Sequence, residues 1–127
     1  MDEDELQTNE VTLRGRVSSE PQARALPSGD VVVTFRLVAR RGRVSPMTRG
    51  SRQVSDWVDC AAWGGRVRGS AAAWQVGDEV EVRGALRRRF YRTPAGSATR
   101  LEVEVLAGKR LRRAEPGATQ SGSAGAH

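Results

Sequence analysis

Five stretches of this chain alternate apolar and polar residues with a period of two, and nothing else in it limits the fold so strongly. Successive side chains of a strand point to opposite faces, so alternation assigns faces before any contact is known. In NEVTLRGRV, residues 9–17, Val11, Leu13 and Val17 fall on one side and Thr12, Arg14 and Arg16 on the other. VVVTFRLVAR, residues 31–40, lines up Val31, Val33, Phe35, Leu37 and Ala39. VSDWVDCAAWGG, residues 54–65, sets Val54, Val58, Cys60 and Ala62 against Trp57 and Trp63. EVEVRGALRRRFY, residues 79–91, turns Val80, Val82 and Leu86 inward and Glu81, Arg83, Arg87, Arg89 and Tyr91 outward. SATRLEVEVL, residues 97–106, turns Leu101, Val103 and Val105 inward. Phe35 and Phe90 are expected in the core, and alternation sends Arg88 inward unless the strand has left the sheet there.

Turn signals separate these segments. Ser18, Ser19, Glu20 and Pro21 break the first, a short QARAL follows, and LPSGD at 26–30 reads as a hairpin turn. Residues 41–53, RGRVSPMTRGSRQ, lack periodicity and read as a long, mobile, basic loop. Between Gly64 and Gly77 the period lengthens: Val67, Ala71 and Trp74 share one side of a short helix, with Trp74 in the core and Gly77 placed to close the helix with a left-handed cap. TPAG at 93–96 is a turn. Residues 1–8 read as an acidic flexible start, 9–113 as one domain, and 114–127 as a disordered Gly, Ser and Ala rich tail. The predicted fold is all-β: a five-stranded Greek-key barrel of the OB type, with one short helix between the third and fourth long strands. Gly15 and Gly84 would sit where barrel strands bend.

Composition narrows the function. Cys60 is the lone cysteine and His127 the lone histidine, so an internal disulfide, a multi-cysteine metal site and a histidine-based triad are all excluded. No enzyme, metal or other cofactor is expected, and Cys60 reads as an inert buried thiol. No run of some 18 apolar residues appears and the first residues are the acidic MDEDEL. No membrane association is expected, and the location indicated is cytoplasmic, with the nucleoid.

Charge is more telling. Asp2, Glu3, Asp4 and Glu5 hold four of the fifteen acidic residues, so the rest of the chain sets eleven acids against twenty-one Lys and Arg, a surplus of ten. Only Lys109 is lysine. Arginine grips phosphate with two donors and stacks flat on a base, although a genome rich in arginine codons gives the same ratio. If Trp57, Trp63 and Tyr91 share an outer face with Arg14, Arg16, Arg36, Arg41, Arg43, Arg83, Arg87 and Arg89, that face offers rings for unpaired bases and cations for phosphates. The partner expected is single-stranded DNA, bound with little sequence preference. A single-stranded RNA ligand, and a protein-interaction module using the same rings, are the alternatives.

The segments NEVTLRGRVSSEPQARALPSG, VVVTFRLVARR, SDWVDCAAWGG, WQVGDEVEVRGALRRRFYRTPAG and LEVEV cover about residues 9–112. With Asn9, Gly15, Pro21, Gly29, Trp57, Trp63, Gly77, Gly84 and Tyr91 in place, they resemble the bacterial single-stranded DNA-binding (SSB) protein family. The resemblance implies an OB fold, self-association as a dimer or tetramer, and coating of single-stranded DNA in replication, repair or recombination. It puts Trp57, Trp63 and Tyr91 at the family's base-stacking positions. The chain departs from the pattern in three places. Arg41, Gly42 and Arg43 stand where another aromatic is common, Asp59 stands where a basic residue is common, and QSGSAGAH stands where general replicative members end in an acidic tip. Recruitment of repair enzymes through that tip is therefore not expected, and the resemblance points to a specialised paralogue.

Overall fold

The computed structural model describes residues 7–42 and 55–115. Six strands and one helix follow in the order β1 (Val11–Val17), β2 (Gln22–Ala25), β3 (Val31–Arg40), β4 (Ser55–Ala62), α1 (Gly65–Ala72), β5 (Glu79–Thr93) and β6 (Gly96–Arg112). The alternating segments became the five long strands, and QARAL supplies the short β2, all four residues of it exposed. Sheet order is β1-β5-β6-β4-β3-β2. β1 closes the barrel: it pairs antiparallel with β5 over Val11–Arg16 and again with β3 at Arg16 and Val17. β4 and β6 run parallel, Asp59 to Ala62 against Glu102 to Val105. This is the five-stranded, helix-containing OB-type barrel that the alternation predicts.

Inward residues of each strand meet at the barrel's centre. Val17, Val33, Phe35, Leu37, Cys60, Ala62, Val80, Val82, Val103 and Val105 form one cluster with Val67, Ala71 and Trp74 from the helical segment. Each fully buried Val or Leu contributes about 1.5–3 kcal/mol relative to exposure. Trp74 meets Phe35 edge-on, ring centroids 5.4 Å apart and planes at 87°. The helix has no side-chain cap and no acidic residue in its first turn, so it depends on packing against the barrel.

Gly77 does not cap that helix. The helix ends at Ala72, with Ala73 in a right-handed conformation, and the positive φ of Gly77, 97°, forms the turn into β5 instead. Its N–H donates to Val17 O at 2.8 Å, and Val17 N–H donates to Asp78 O at 2.9 Å, which stitches the end of β1 to the start of β5. Asp78 is buried there and accepts from the N–H groups of Gln75 and Ala114 and from Arg110. Burial alone would raise its pKa. The three donors outweigh it and hold the carboxyl below its ordinary value.

Gly15 and Gly84 are required by close approach. A Cβ on Gly15 would lie 2.3 Å from Val38 O, and one on Gly84 1.8 Å from Glu104 O. At Arg83 and Gly84 the β5–β6 register slips by one residue, from Ala107 to Val105 across a single step.

Beyond this bulge the sequence reading fails in one respect. Leu86, Phe90 and Leu101 were expected inside, yet they are 43%, 74% and 47% exposed. β1 stops pairing with β5 at Gly84, after which the Asn9 side chain donates to Leu86 O and accepts from Leu86 N–H. Among the described residues β5 pairs only with β6 beyond Gly84, and past the Arg87–Glu102 pair, the last that β4 flanks, the two strands project from the barrel as an arm with no third strand beside them. Arg88 is accordingly exposed, donating to Thr99 Oγ1.

Candidate nucleic-acid interface

Cross-strand registers assemble one continuous outer face. Arg36 on β3 lies opposite Asp59 on β4, Asp59 beside Glu102 on β6, and Glu102 opposite Arg87 on β5; Arg89 faces Arg100, and Trp57 faces Val38. Cross-strand partners share a face. The outward parity of Trp57, Arg87, Arg89 and Tyr91 thus becomes a single surface, and Trp63 sits one residue past the end of β4 at its edge.

Each of the three rings carries an arginine. The guanidinium carbon of Arg36 is 3.9 Å from the Trp57 ring centroid, that of Arg89 5.3 Å from Trp63, and that of Arg100 5.4 Å from Tyr91. Carboxylates of the same face hold these arginines: Arg36 and Arg100 both reach Asp59, at 3.3 and 3.5 Å, and Arg89 reaches Glu102 at 2.8 Å. Arg87 pairs with Glu104 at 2.7 Å and, among the described residues, lies over no ring. Asp59, the acidic departure noted in the sequence, is therefore the anchor of two arginines.

A groove of about 620 Å³ crosses this face. Its floor includes Thr34, Arg36, Asp59, Arg100 and Glu102; one wall is the segment from Ser19 to Arg24, the other is the arm at Arg89, Phe90 and Tyr91. In OB barrels this is where the strand face and the flanking loops meet.

The remaining arginines are placed elsewhere. Arg14 and Arg83, with Lys109, surround Glu81 on the outer side of β1, β5 and β6, at 2.8, 3.6 and 4.0 Å. Glu81 is only 5% exposed although its parity is outward, because these cations cover it. The hydrogen bond from Arg14, aided by the other cations, holds its pKa below the ordinary value. Arg16 is exposed and lies opposite Val38, the register neighbour of Trp57. Arg41 makes a two-pronged pair with Asp56, at 2.8 and 3.0 Å. Arg43 and Val54, most of the 41–53 loop, residues 1–6 of the acidic start and all but Ala114 and Glu115 of the expected tail lie outside the described residues. Cys60 is buried beneath the face; burial first, then Asp59 and Glu102, push its thiol up to about 12. Among the described residues no helix is long and apolar enough to cross a membrane.

Sequence reasoning missed Arg100 and Arg24. Arg100 shares parity with Glu102 and Glu104 in the alternating TRLEVEV, so the signal was present. Arg24 lies in a segment too short for alternation to assign.

A small closed barrel whose outer groove combines rings and guanidinium groups defines an OB-fold protein. Comparison with known sequences takes the assignment further. The chain belongs to the single-strand binding protein family, whose model matches residues 8–111. It is 31% identical over 88 residues to single-stranded DNA-binding protein A of Bacillus subtilis, covering 69% of this chain and 49% of that one. To the single-stranded DNA-binding protein of Mycobacterium bovis it is 31% identical over 103 residues, 75% of this chain and 59% of the other. The chain thus spans about half the length of the curated relatives it matches. Among solved structures, a Plasmodium falciparum SSB in complex with ssDNA superposes with a TM-score of 0.68 at 23% identity, covering 88% of this chain and 98% of that one, a likeness of fold.

Proposed function

We propose that the protein binds single-stranded DNA with little sequence preference, without enzymatic activity, in replication, repair or recombination in the cytoplasm. Bases stack on Trp57, Trp63 and Tyr91, each worth about 1–3 kcal/mol, and every base offers the π face that stacking needs. Arg36, Arg87 and Arg89, joined by Arg100, meet the phosphates beside those rings, and Arg14, Arg16 and Arg83 extend the phosphate track along β1 and β5. Arg41 and Arg43 contribute from the start of the long loop. The observation that carries this reading is the seating of an arginine within 3.9 to 5.4 Å of each of three rings, with all three of those arginines, Arg36, Arg89 and Arg100, lining one open groove beside Tyr91. The family's relatives bear names of single-stranded DNA-binding proteins, which supports it.

Self-association as a dimer or tetramer belongs to the same proposal. Leu86, Leu101, Leu106 and Leu111 are between 43% and 63% exposed, apolar area that a second copy would cover.

Those exposed leucines also favour a second reading, in which the rings hold another protein. Replacing both Trp57 and Trp63 with alanine separates the two. Loss of oligonucleotide affinity at unchanged oligomer mass supports DNA binding; retained affinity with loss of mass supports the protein contact.

A further inference from the structure

Followed along β5, the outward side of the barrel changes character. Glu81, Arg83, Arg87, Arg89 and Tyr91 share that side, and rings gather at its Arg89 and Tyr91 end. The Glu81 end has none. The chain's three Trp, two Phe and one Tyr are all placed: Phe35 and Trp74 meet in the core, Phe90 has the parity of Leu86 on the opposite face of the arm, and Trp57, Trp63 and Tyr91 carry the arginines described above. Registers set out the ring-free end as three rows across β1, β5 and β6: Thr12, Arg83 and Ala107; Arg14, Glu81 and Lys109; Arg16, Glu79 and Arg112. Those rows hold five cations and two carboxylates, a surplus of three. Arg14, Arg83 and Lys109 turn toward Glu81 and Arg112 toward Glu79, yet the four side chains remain 65% to 70% exposed. Arg16 is exposed and makes no ion pair among the described residues.

Resting on the single-strand reading, we propose that this ring-free face binds duplex DNA flanking the single strand, so that the preferred substrate is a junction between the two. A face without rings has nothing for an unpaired base to stack on, and all its attraction is for phosphate. Duplex suits it better, because each contact to B-DNA steepens the salt slope by about 0.9 through counterion release, against about 0.7 for a single strand. The two faces are continuous. Arg83 and Arg87 lie four residues apart on β5, about 13 Å, so a strand can leave the rings near Arg87 and enter its duplex near Arg83. Lys109 and Arg112 then meet the duplex backbone beside Arg14, Arg16 and Arg83.

The test is anisotropy titration of the full chain, at several salt concentrations, with three labelled probes: oligo-dT, the same oligo-dT joined to a duplex stem, and an unpaired oligo-dT lengthened by as many nucleotides as one strand of the stem. The variants are Lys109→Gln with Arg112→Gln, and the charge-keeping pair Lys109→Arg with Arg112→Lys, each checked by thermal unfolding. The junction binds more tightly than either unpaired probe and with a steeper slope of log affinity against log salt. The Gln pair lowers the junction slope by about 2 and leaves the short oligo-dT unchanged, and the charge-keeping pair behaves as the parent. Should the Gln pair lower the unfolding midpoint, Lys109→Gln alone carries the test, with a slope change of about 1. If the junction binds no better than the short oligo-dT, the proposal is overturned and the single-strand reading stands. If the long unpaired probe matches the junction and the Gln pair weakens both alike, the face takes more single strand and the duplex assignment is overturned. If the parent binds no oligo-dT, the single-strand reading falls and this proposal with it.

Discussion

Arg36 lies flat enough over Trp57 to bring its guanidinium carbon within 3.9 Å of the ring centroid, while Asp59 across the strand pair holds its Nε at 3.3 Å. The ring is thus occupied before any ligand arrives. A base that stacks there must share or replace the cation, and a phosphate that draws Arg36 away must outcompete a carboxylate. Asp59 also reaches Arg100, at 3.5 Å, so one carboxylate restrains two of the three arginines seated on rings.

Asp59→Asn therefore tightens binding of single strands. Both arginines lose their partner and the face loses a negative charge; partly exposed pairs of this kind are worth up to about 1 kcal/mol, roughly fivefold in affinity at low salt. Titration of a labelled oligo-dT in low and high salt checks this, the gain shrinking as salt screens the face. Weaker binding by the variant would mean that Asp59 positions the arginines productively rather than withholding them.

Gly84→Ala disrupts the barrel. Its methyl group would sit 1.8 Å from Glu104 O, a backbone atom that cannot move without breaking the β5–β6 pairing at the bulge. The expected loss is about 3 kcal/mol or more, read as a lower denaturation midpoint. Gly69→Ala is the control, since a Cβ there meets nothing within 4 Å and the position lies inside the helix. It is neutral or stabilising by about 1 kcal/mol.

Acid weakens the fold through Asp78 and Glu81. Both carboxyls titrate below their ordinary values of 3.8 and 4.5, so the stability they contribute is complete above those values and is lost as pH falls through the lower folded ones. Thermal unfolding followed from pH 7 down to about pH 2 shows a fall that begins near pH 4.5. Asp78→Asn lowers stability at neutral pH by about 2–4 kcal/mol, because the Gln75, Ala114 and Arg110 donors lose their charged acceptor, and flattens the acid limb.

Cys60 resists alkylation in the folded protein. Its thiol is buried and raised to about 12, so at pH 8 almost no thiolate forms. Labelling with a thiol reagent proceeds only in denaturant, and labelling of the native protein at the rate of a free cysteine would show that β4 opens.

Most of the barrel is legible in the sequence because alternation and burial coincide wherever a strand has the core behind it, as for Val33, Phe35 and Leu37 or Val103 and Val105. Alternation reports which face a residue shares, and it is silent on whether anything covers that face. Leu86, Phe90 and Leu101 keep their inward parity yet lie at the root of the arm or on it, where β1 has ended and, among the described residues, no third strand or helix covers them. Glu81 shows the converse, an outward residue buried under Arg14, Arg83 and Lys109. Gly77 announced a left-handed position correctly, but the turn it serves joins β1 to β5, a tertiary relationship that local spacing does not carry. The aromatic face was legible through Trp57, Arg87, Arg89 and Tyr91. Its pairing of every ring with a carboxylate-held arginine needed the registers.

The central claim is that these rings stack unpaired bases, and tryptophan emission reads it most directly. Titration with poly-dT, with a matched duplex and with RNA, each at two salt concentrations, should quench Trp57 and Trp63 strongly and saturably with the DNA single strand, little with duplex, and at lower affinity in higher salt. Emission that stays flat with poly-dT at low salt, or that falls equally with duplex, contradicts the account.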